Sequence, residues 1–273
     1  MTHRPSLKEV MVQFNLLPRK ALGQNFLLDE NITHKIASVA GNLKGRRVIE
    51  IGPGPGGLTR AILDLGADEV IAIEMDKRCI VALENLHEPR LSIFENDALK
   101  VDFSQFLNTD KPTKIIANLP YNIGTELLFK WLPLIDRIES MTLMFQKEVI
   151  DRIVAVPNTK DYGRLSIMVQ WLANAKKAFD LPPHVFTPPP KVTSSVVHIV
   201  PKNVPLTVEF KHMESLVKQA FSMRRKMLKS TLKDIDTAIL ESTNIDPTRR
   251  AETLNVQEFI ALAEHTALRK NLD

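Results

Sequence analysis

Between residues 47 and 65 the chain leaves little freedom to its backbone. Arg47-Val48-Ile49-Glu50-Ile51 has strand character, and Leu58, Ala61, Ile62 and Leu65 recur at helical spacing before Gly66 stops the helix. Only Gly52-Pro53-Gly54-Pro55-Gly56-Gly57 joins the two. Proline cannot continue a sheet ladder, and glycine reaches backbone conformations closed to other residues. The strand must therefore turn sharply into the helix. Such a turn, almost bare of side chains, lets a ligand approach the backbone and leaves the helix's first N–H groups open to it.

Similar strand and helix patterns follow. Glu69 to Glu74 reads as a second strand, and Asp76 caps a helix carrying Ile80 and Leu83. Leu91 to Glu95, Lys114 to Asn118 and Met141 to Gln146 read as further strands, and Ser195 to Val200 as the last. Ile32, Ile36, Val39 and Ala40 form a helical stripe ahead of the first strand. Alternation of this kind predicts an α/β fold with a mostly parallel sheet covered by helices on both faces. Leu181 to Pro190 holds five of the seventeen prolines and cannot be helical. Beyond about residue 210 the pattern is helical only, with one apolar face at Met213, Leu216, Val217, Ala220 and Phe221 and another at Val256, Phe259, Ile260 and Ala263. The expected organisation is an α/β domain over 1–203 and a small all-α domain over 204–273.

Glu74 stands 22 residues after Gly52, at the end of the second strand. A carboxylate there can accept both ribose hydroxyls of a nucleoside cofactor bound at the sheet's carboxyl edge. Gly52, Gly54 and Gly57 also satisfy the G-x-G-x-x-G dinucleotide fingerprint, so the turn alone leaves a nicotinamide dinucleotide and S-adenosylmethionine both open. Asn118-Leu119-Pro120-Tyr121, at the end of the fourth strand, separates them. An Asn side chain and a Pro carbonyl are two acceptors able to hold the hydrogens of an exocyclic amine, and Tyr121 offers a flat surface for a planar base. The adenine amine is a poor nucleophile because its lone pair is delocalised, and two acceptors favour a more pyramidal nitrogen.

Composition is that of a globular protein, with 44% hydrophobic and 25% charged residues. The net charge of +4 permits a polyanionic partner without demanding one. The lone Cys79 forms no intrachain disulfide, which points to a reducing, cytoplasmic setting. The N-terminal residues lack the apolar core of a secretory signal, and no apolar run is long enough to span a membrane. The seven histidines show no metal-ligand spacing, so no metal is expected.

Four motifs together resemble the ribosomal-RNA adenine dimethyltransferases. They are Gly23-Gln24-Asn25-Phe26-Leu27, the Asn118 to Tyr121 corner, Phe186-Thr187-Pro188-Pro189-Pro190-Lys191-Val192-Thr193-Ser194, and Ala220-Phe221-Ser222-Met223-Arg224-Arg225-Lys226-Met227-Leu228. The likeness runs from about Leu17 to about Ala263, and its C-terminal signature is nearer the KsgA-type small-subunit enzymes than the Erm resistance enzymes. Leu119 departs from the wider amino-methyltransferase motif, which often has Pro there. The resemblance implies a Rossmann-like S-adenosylmethionine-dependent methyltransferase domain. It implies that Asn25 and Leu27 close over the cofactor, Gly52 and Gly54 line its methionine portion, and Glu74 holds its ribose. Asp97 would accept from its adenine amine, although Asn96-Asp97 also reads as a turn and helix cap. Asn118 would touch cofactor and target amine, with Leu119 and Pro120 completing the corner, and Tyr121 and Phe186 would sandwich the target base. The implied substrate is the small-subunit rRNA of an immature 30S subunit, at two adjacent adenosines of its 3′-terminal hairpin, each methylated twice at N6 by a monomeric enzyme.

From Lys211 to Lys233 there are seven basic residues against Glu214 alone. Arg224, Arg225, Lys226 and Lys229 are the expected RNA contacts within that run. Two other readings make distinct demands. A nicotinamide oxidoreductase of the Tyr-x-x-x-Lys kind fails, because Thr125 and Ser166 stand four residues after Tyr121 and Tyr162. A non-catalytic RNA-binding factor on the same scaffold is expected to have lost Glu74, Asp97 or Asn118, and all three are present.

Overall fold

The computed structural model describes residues 4–19, 22–107, 111–203, 205–223, 225–233, 235 and 237–270. The chain divides into two compact units, Met1–Ile150 with Lys176–Pro201, and Asp151–Ala175 with Lys202–Asp273.

The first unit begins with helix α1 (Leu7–Gln13), the two-residue strand β1 (Phe26–Leu27) and α2 (Glu30–Val39). Then β2 (Arg47–Ile51), α3 (Gly57–Asp64), β3 (Glu69–Glu74), α4 (Lys77–Glu84) and β4 (Leu91–Glu95) alternate. After α5 (Ser104–Leu107) come β5 (Thr113–Asn118), α6 (Gly124–Trp131) and β6 (Ser140–Gln146). Helices α7 (Lys147–Ile153) and α8 (Arg164–Leu172) precede β7 (Ala173–Leu181), β8 (Phe186–Thr187) and β9 (Ser194–Pro201).

Seven strands form one sheet in the order β4-β3-β2-β5-β6-β9-β7. Neighbours from β4 to β6 run parallel, and β9 lies antiparallel to β6. The central strands β2, β3 and β5 are buried nearly throughout, which is why they read as almost continuous apolar runs. On one side, Ile36, Ala37 and Ala40 of α2 and Leu58, Ala61 and Ile62 of α3 pack with Val48, Val70 and Ile116 of the sheet. From β2 the chain first builds outward through β3 and β4 and then returns to place β5 on the other side of β2. That reversal opens a crevice beyond the carboxyl ends of β2 and β5, where α/β sheets bind ligands. The registers Ile51↔Ile73 and Glu74↔Glu95 bring the residues after β2, β3 and β4 to the same edge.

The second unit continues with α9 (Phe210–Ala220), α10 (Leu228–Thr231), α11 (Thr237–Ser242) and α12 (Val256–Lys270). Its apolar faces are those expected, with Met213, Leu216, Val217 and Ala220 buried on α9 and Phe259 and Ala263 on α12. It begins at Lys202, and it also takes in Asp151–Ala175, which the sequence pattern grouped with the first unit. Helix α8 explains this. It is apolar almost all round, and Trp171 at its end stacks on Phe210 at a ring distance of 6.1 Å. Strand β7 is an element the sequence did not announce.

Candidate active site

The residues after four strands line a cavity of about 280 Å³ at the sheet edge. Gly52 and Gly54 follow β2, Glu74 ends β3, Asn96 and Asp97 follow β4, and Asn118 to Tyr121 follow β5. Gln24 to Leu27 form a further wall. Three acidic side chains, Glu50, Glu74 and Asp97, line it, with no Lys, Arg or His among the described lining residues. This is a setting for a ligand that carries positive charge and several hydrogen-bond donors.

Gly54 holds its backbone at φ +56°, and an added Cβ would lie 2.8 Å from the Phe26 ring. The turn thus needs glycine both for conformation and for the close approach of β1. Gly52 is also left-handed, at φ +63°, and a Cβ there would meet nothing within 4 Å. Its N–H is held by the Ile73 carbonyl at 2.9 Å, which ties the turn to β3.

Glu74 is 6% exposed. One oxygen accepts the Met75 and Asp76 N–H groups at 2.8 and 2.9 Å, and the other accepts the Gly54 N–H at 3.1 Å. Burial raises its pKa, while the three backbone donors oppose the rise. Glu50, 1% exposed, accepts from the Thr59 hydroxyl at 2.7 Å. Burial pushes its pKa up to about 8, with the Thr59 bond opposing and the Glu74 charge adding to the rise. Glu50 was not among the expected site residues. Its signal was a charged side chain between the apolar Ile49 and Ile51 in the buried part of β2.

Asp97 caps a turn, its carboxylate accepting the Leu99 N–H at 3.0 Å, and it also lines the cavity. Asn25 donates to the Gly23 carbonyl at 3.2 Å, and its own carbonyl accepts the Asn118 side-chain N–H₂ at 3.2 Å. That bond fixes the Asn118 amide, so its Oδ1 is the atom left for another donor. The Tyr121 hydroxyl is 2.5 Å from Ser194 Oγ, which anchors the ring; burial raises the phenol's pKa.

Two expectations change. The Pro120 carbonyl already accepts the N–H groups of Ile123 and Gly124 at 3.2 and 3.0 Å, as the start of α6 requires, so both its lone pairs are used. Leu119 also lines the cavity, and its carbonyl has no hydrogen-bond partner among the described residues. The main-chain carbonyl of the corner left open is therefore that of Leu119. Phe186 does not join the cavity. It pairs with Leu27 across β1 and β8 and is 2% exposed, packed in the core with Leu27, Met144, Leu181 and Val196.

In the second unit Arg225, Lys226 and Lys229 are exposed, and Arg224 lies outside the described residues. Cys79 is buried, and burial raises its thiol pKa, which makes it a packing residue and not a nucleophile. Among the described residues no group of three His, Cys, Asp or Glu could hold a metal ion. No described helix is long and apolar enough to cross a membrane.

Residues 15–267 match the family described as "Ribosomal RNA adenine dimethylase". The chain is 54% identical over 269 residues to "Ribosomal RNA small subunit methyltransferase A" of Chelativorans sp. (strain BNC1), covering 95% of this chain and 97% of the relative. It is 52% identical over 266 residues to the protein of the same name from Agrobacterium fabrum (strain C58 / ATCC 33970), covering 95% and 96%. Among solved structures it resembles a dimethyladenosine transferase from Plasmodium falciparum, with TM-score 0.75, 26% identity and coverage of 89% and 96%. It also resembles the 23S rRNA methyltransferase ErmE, with TM-score 0.67, 25% identity and coverage of 88% and 99%.

Proposed function

Because the chain belongs to the ribosomal RNA adenine dimethylase family, we propose that the sheet-edge cavity is where it methylates adenine N6 from S-adenosylmethionine. It is an S-adenosylmethionine-dependent methyltransferase of small-subunit rRNA. Its target is two adjacent adenosines in the 3′-terminal hairpin of 16S rRNA, each carried to N6,N6-dimethyladenosine during 30S assembly in the cytoplasm, by a monomer.

The observation that carries the site assignment is the Asn118 amide, turned by the Asn25 carbonyl so that Oδ1 remains to accept from an amine. In the first transfer Asn118 Oδ1 and the Leu119 carbonyl hold the two N6 hydrogens and favour a pyramidal nitrogen, and in the second one of these acceptors holds the single hydrogen that remains. S-adenosylmethionine would supply the methyl group to the N6 lone pair and would leave as a neutral thioether, and the proton of the methylated nitrogen would be lost to solvent after transfer. No covalent enzyme intermediate is needed, so the chain's work is positioning and exclusion of water. Glu74 accepts from the ribose diol at Oε2, where its three backbone donors leave one lone pair open. Asp97 accepts from the cofactor's adenine amine, Asn25 and Leu27 close over the bound molecule, and Gly52 and Gly54 leave room for its methionine portion. Tyr121 stacks on the target base, which has to leave its stack to reach the cavity. A sandwich that includes Phe186 requires that ring to leave the core. Arg225, Lys226 and Lys229, with Arg224, contact rRNA phosphates.

The test is methyl transfer from labelled S-adenosylmethionine to unmodified small ribosomal subunits, with product nucleosides identified by mass. N6,N6-dimethyladenosine that disappears in Asn118→Ala supports the reading. Transfer undiminished in that variant removes Asn118 from the chemistry. No transfer to subunits, naked small-subunit rRNA or large-subunit rRNA, while the protein still binds them, leaves a binding factor in place of an enzyme.

A further inference from the structure

The geometry points to Arg78, Asp76 and Gln24 as a clasp that positions the segment preceding β1 over the cofactor cavity, and this rests on the cofactor reading above. Asp76 caps α4 two residues after Glu74, and its carboxylate is buried. It is gripped by an Arg78 fork, with Nε 3.0 Å from one oxygen and Nη2 2.6 Å from the other. The third arm of the same guanidinium, Nη1, donates to the Asn15 and Leu17 carbonyls at 3.2 Å each. Asp76 also accepts the Gln24 side-chain N–H₂ at 3.1 Å, and Gln24 Oε1 in turn accepts the Arg19 N–H at 2.8 Å. One ion pair thereby ties the Asn15 and Leu17 carbonyls and the Gln24 side chain to the start of α4. The next residue, Asn25, supplies the carbonyl that orients Asn118.

The other side of the same turn faces the ligand. Glu74, the proposed ribose acceptor, takes the Asp76 N–H at 2.9 Å. The turn after β3 is therefore shared between the cofactor's ribose and the clasp. The ribose and the seated Gln24 and Asn15–Leu17 contacts share the same backbone turn, so each should favour the other. The apolar seat of the segment is separate. Val10, Leu16 and Phe26 pack on Cys79 and Ala82 of α4. Removing the polar clasp leaves that seat in place, so the variants should fold.

Arg78 and Gln24 are positioning residues on this view, and their effect falls on cofactor capture before chemistry. The experiment measures S-adenosylmethionine affinity by titration calorimetry, together with KM and kcat for methyl transfer to small subunits. It compares the wild type with Arg78→Ala, Gln24→Ala, the double variant and Arg78→Lys. Each alanine variant should raise Kd and KM for S-adenosylmethionine about tenfold while kcat at saturation stays within about threefold. Because both break one clasp, the double variant should lose no more than the worse single. Arg78→Lys keeps the charge but not the fork, and should recover only part of the loss. Wild-type affinity in both single variants overturns the inference. So does a fall in kcat with KM unchanged, or losses that add in the double variant. Failure of the wild type itself to bind S-adenosylmethionine refutes the cofactor reading instead.

Discussion

Replacing Glu74 by Gln is the sharpest perturbation of the cavity, because shape is kept while one acceptor and the charge are lost. The Gln oxygen can stay with the Met75 and Asp76 N–H groups, which turns its NH₂ toward the Gly54 N–H now held at 3.1 Å. One charge-assisted hydrogen bond then becomes a donor facing a donor, at a cost of about 1.5–3 kcal/mol. Relief of the buried charge, whose pKa burial already raises, offsets part of that cost. The folded variant should therefore lose about 1–2 kcal/mol in stability, readable by urea titration. The ligand feels more. On the proposed role the ribose diol donates to the one lone pair left open on Oε2, and the amide leaves no acceptor there beside a loosened Gly54 turn. Loss of about 1.5–3 kcal/mol corresponds to a Kd for S-adenosylmethionine raised about 10- to 150-fold. Calorimetric titration should include an analogue lacking the 2′-hydroxyl. In the wild type the analogue should bind more weakly, and in Glu74→Gln the difference should nearly vanish, since the partner is gone. An affinity within about threefold of wild type, or an analogue penalty that survives intact in the variant, refutes the assignment of Glu74 to the ribose.

Three further outcomes are expected. Gly54→Ala should cost about 1–2 kcal/mol for the left-handed backbone alone and should also weaken cofactor binding, because its Cβ would drive the Phe26 ring off the turn; unchanged urea stability and unchanged affinity would contradict both effects. Glu50, ordinarily ionised above 4.5, stays protonated in the fold up to about pH 8. Folding thus takes up a proton across that window and stability falls as pH rises through it, so the melting temperature of ligand-free Glu50→Gln relative to wild type should climb between the two pKa values, and a constant offset would show that Glu50 does not titrate there. Neutralising Arg225, Lys226 and Lys229 to Ala should lower the salt dependence of rRNA binding by about 2–3 units of log K per log salt while leaving S-adenosylmethionine affinity unchanged; an unaltered slope would remove these residues from the phosphate contacts.

What the sequence made legible follows a physical boundary. The parallel strands and the turn after β2 were readable because each is set by neighbours in sequence: apolar runs for doubly buried strands, glycine and proline for the turn. Cavity residues at strand ends came with them, since a parallel sheet places those ends on one edge whatever else the chain does. Strand β7 stayed hidden because Ala-Asn-Ala-Lys-Lys-Ala lacks apolar alternation, although exposure does alternate along it. Its half-buried Lys177 serves an inward position with its stem while its ammonium reaches Asp180 at 2.7 Å.

The structure alters two site expectations for a different reason. Phe186, in a proline-rich stretch, has the sequence context of an exposed aromatic, yet its burial is decided by pairing with Leu27, far away in the chain. The Pro120 carbonyl was spent by the first turn of α6, a main-chain detail that side-chain spacing does not carry. The contacts that orient the site are long-range in the same sense: Asn118 to Asn25 spans 93 residues, and Gln24 to Asp76 spans 52. A motif names the side chains a reaction needs at one place. Which of their atoms remain open for the substrate depends on partners that only the folded chain supplies, and here that difference moved one acceptor from Pro120 to Leu119.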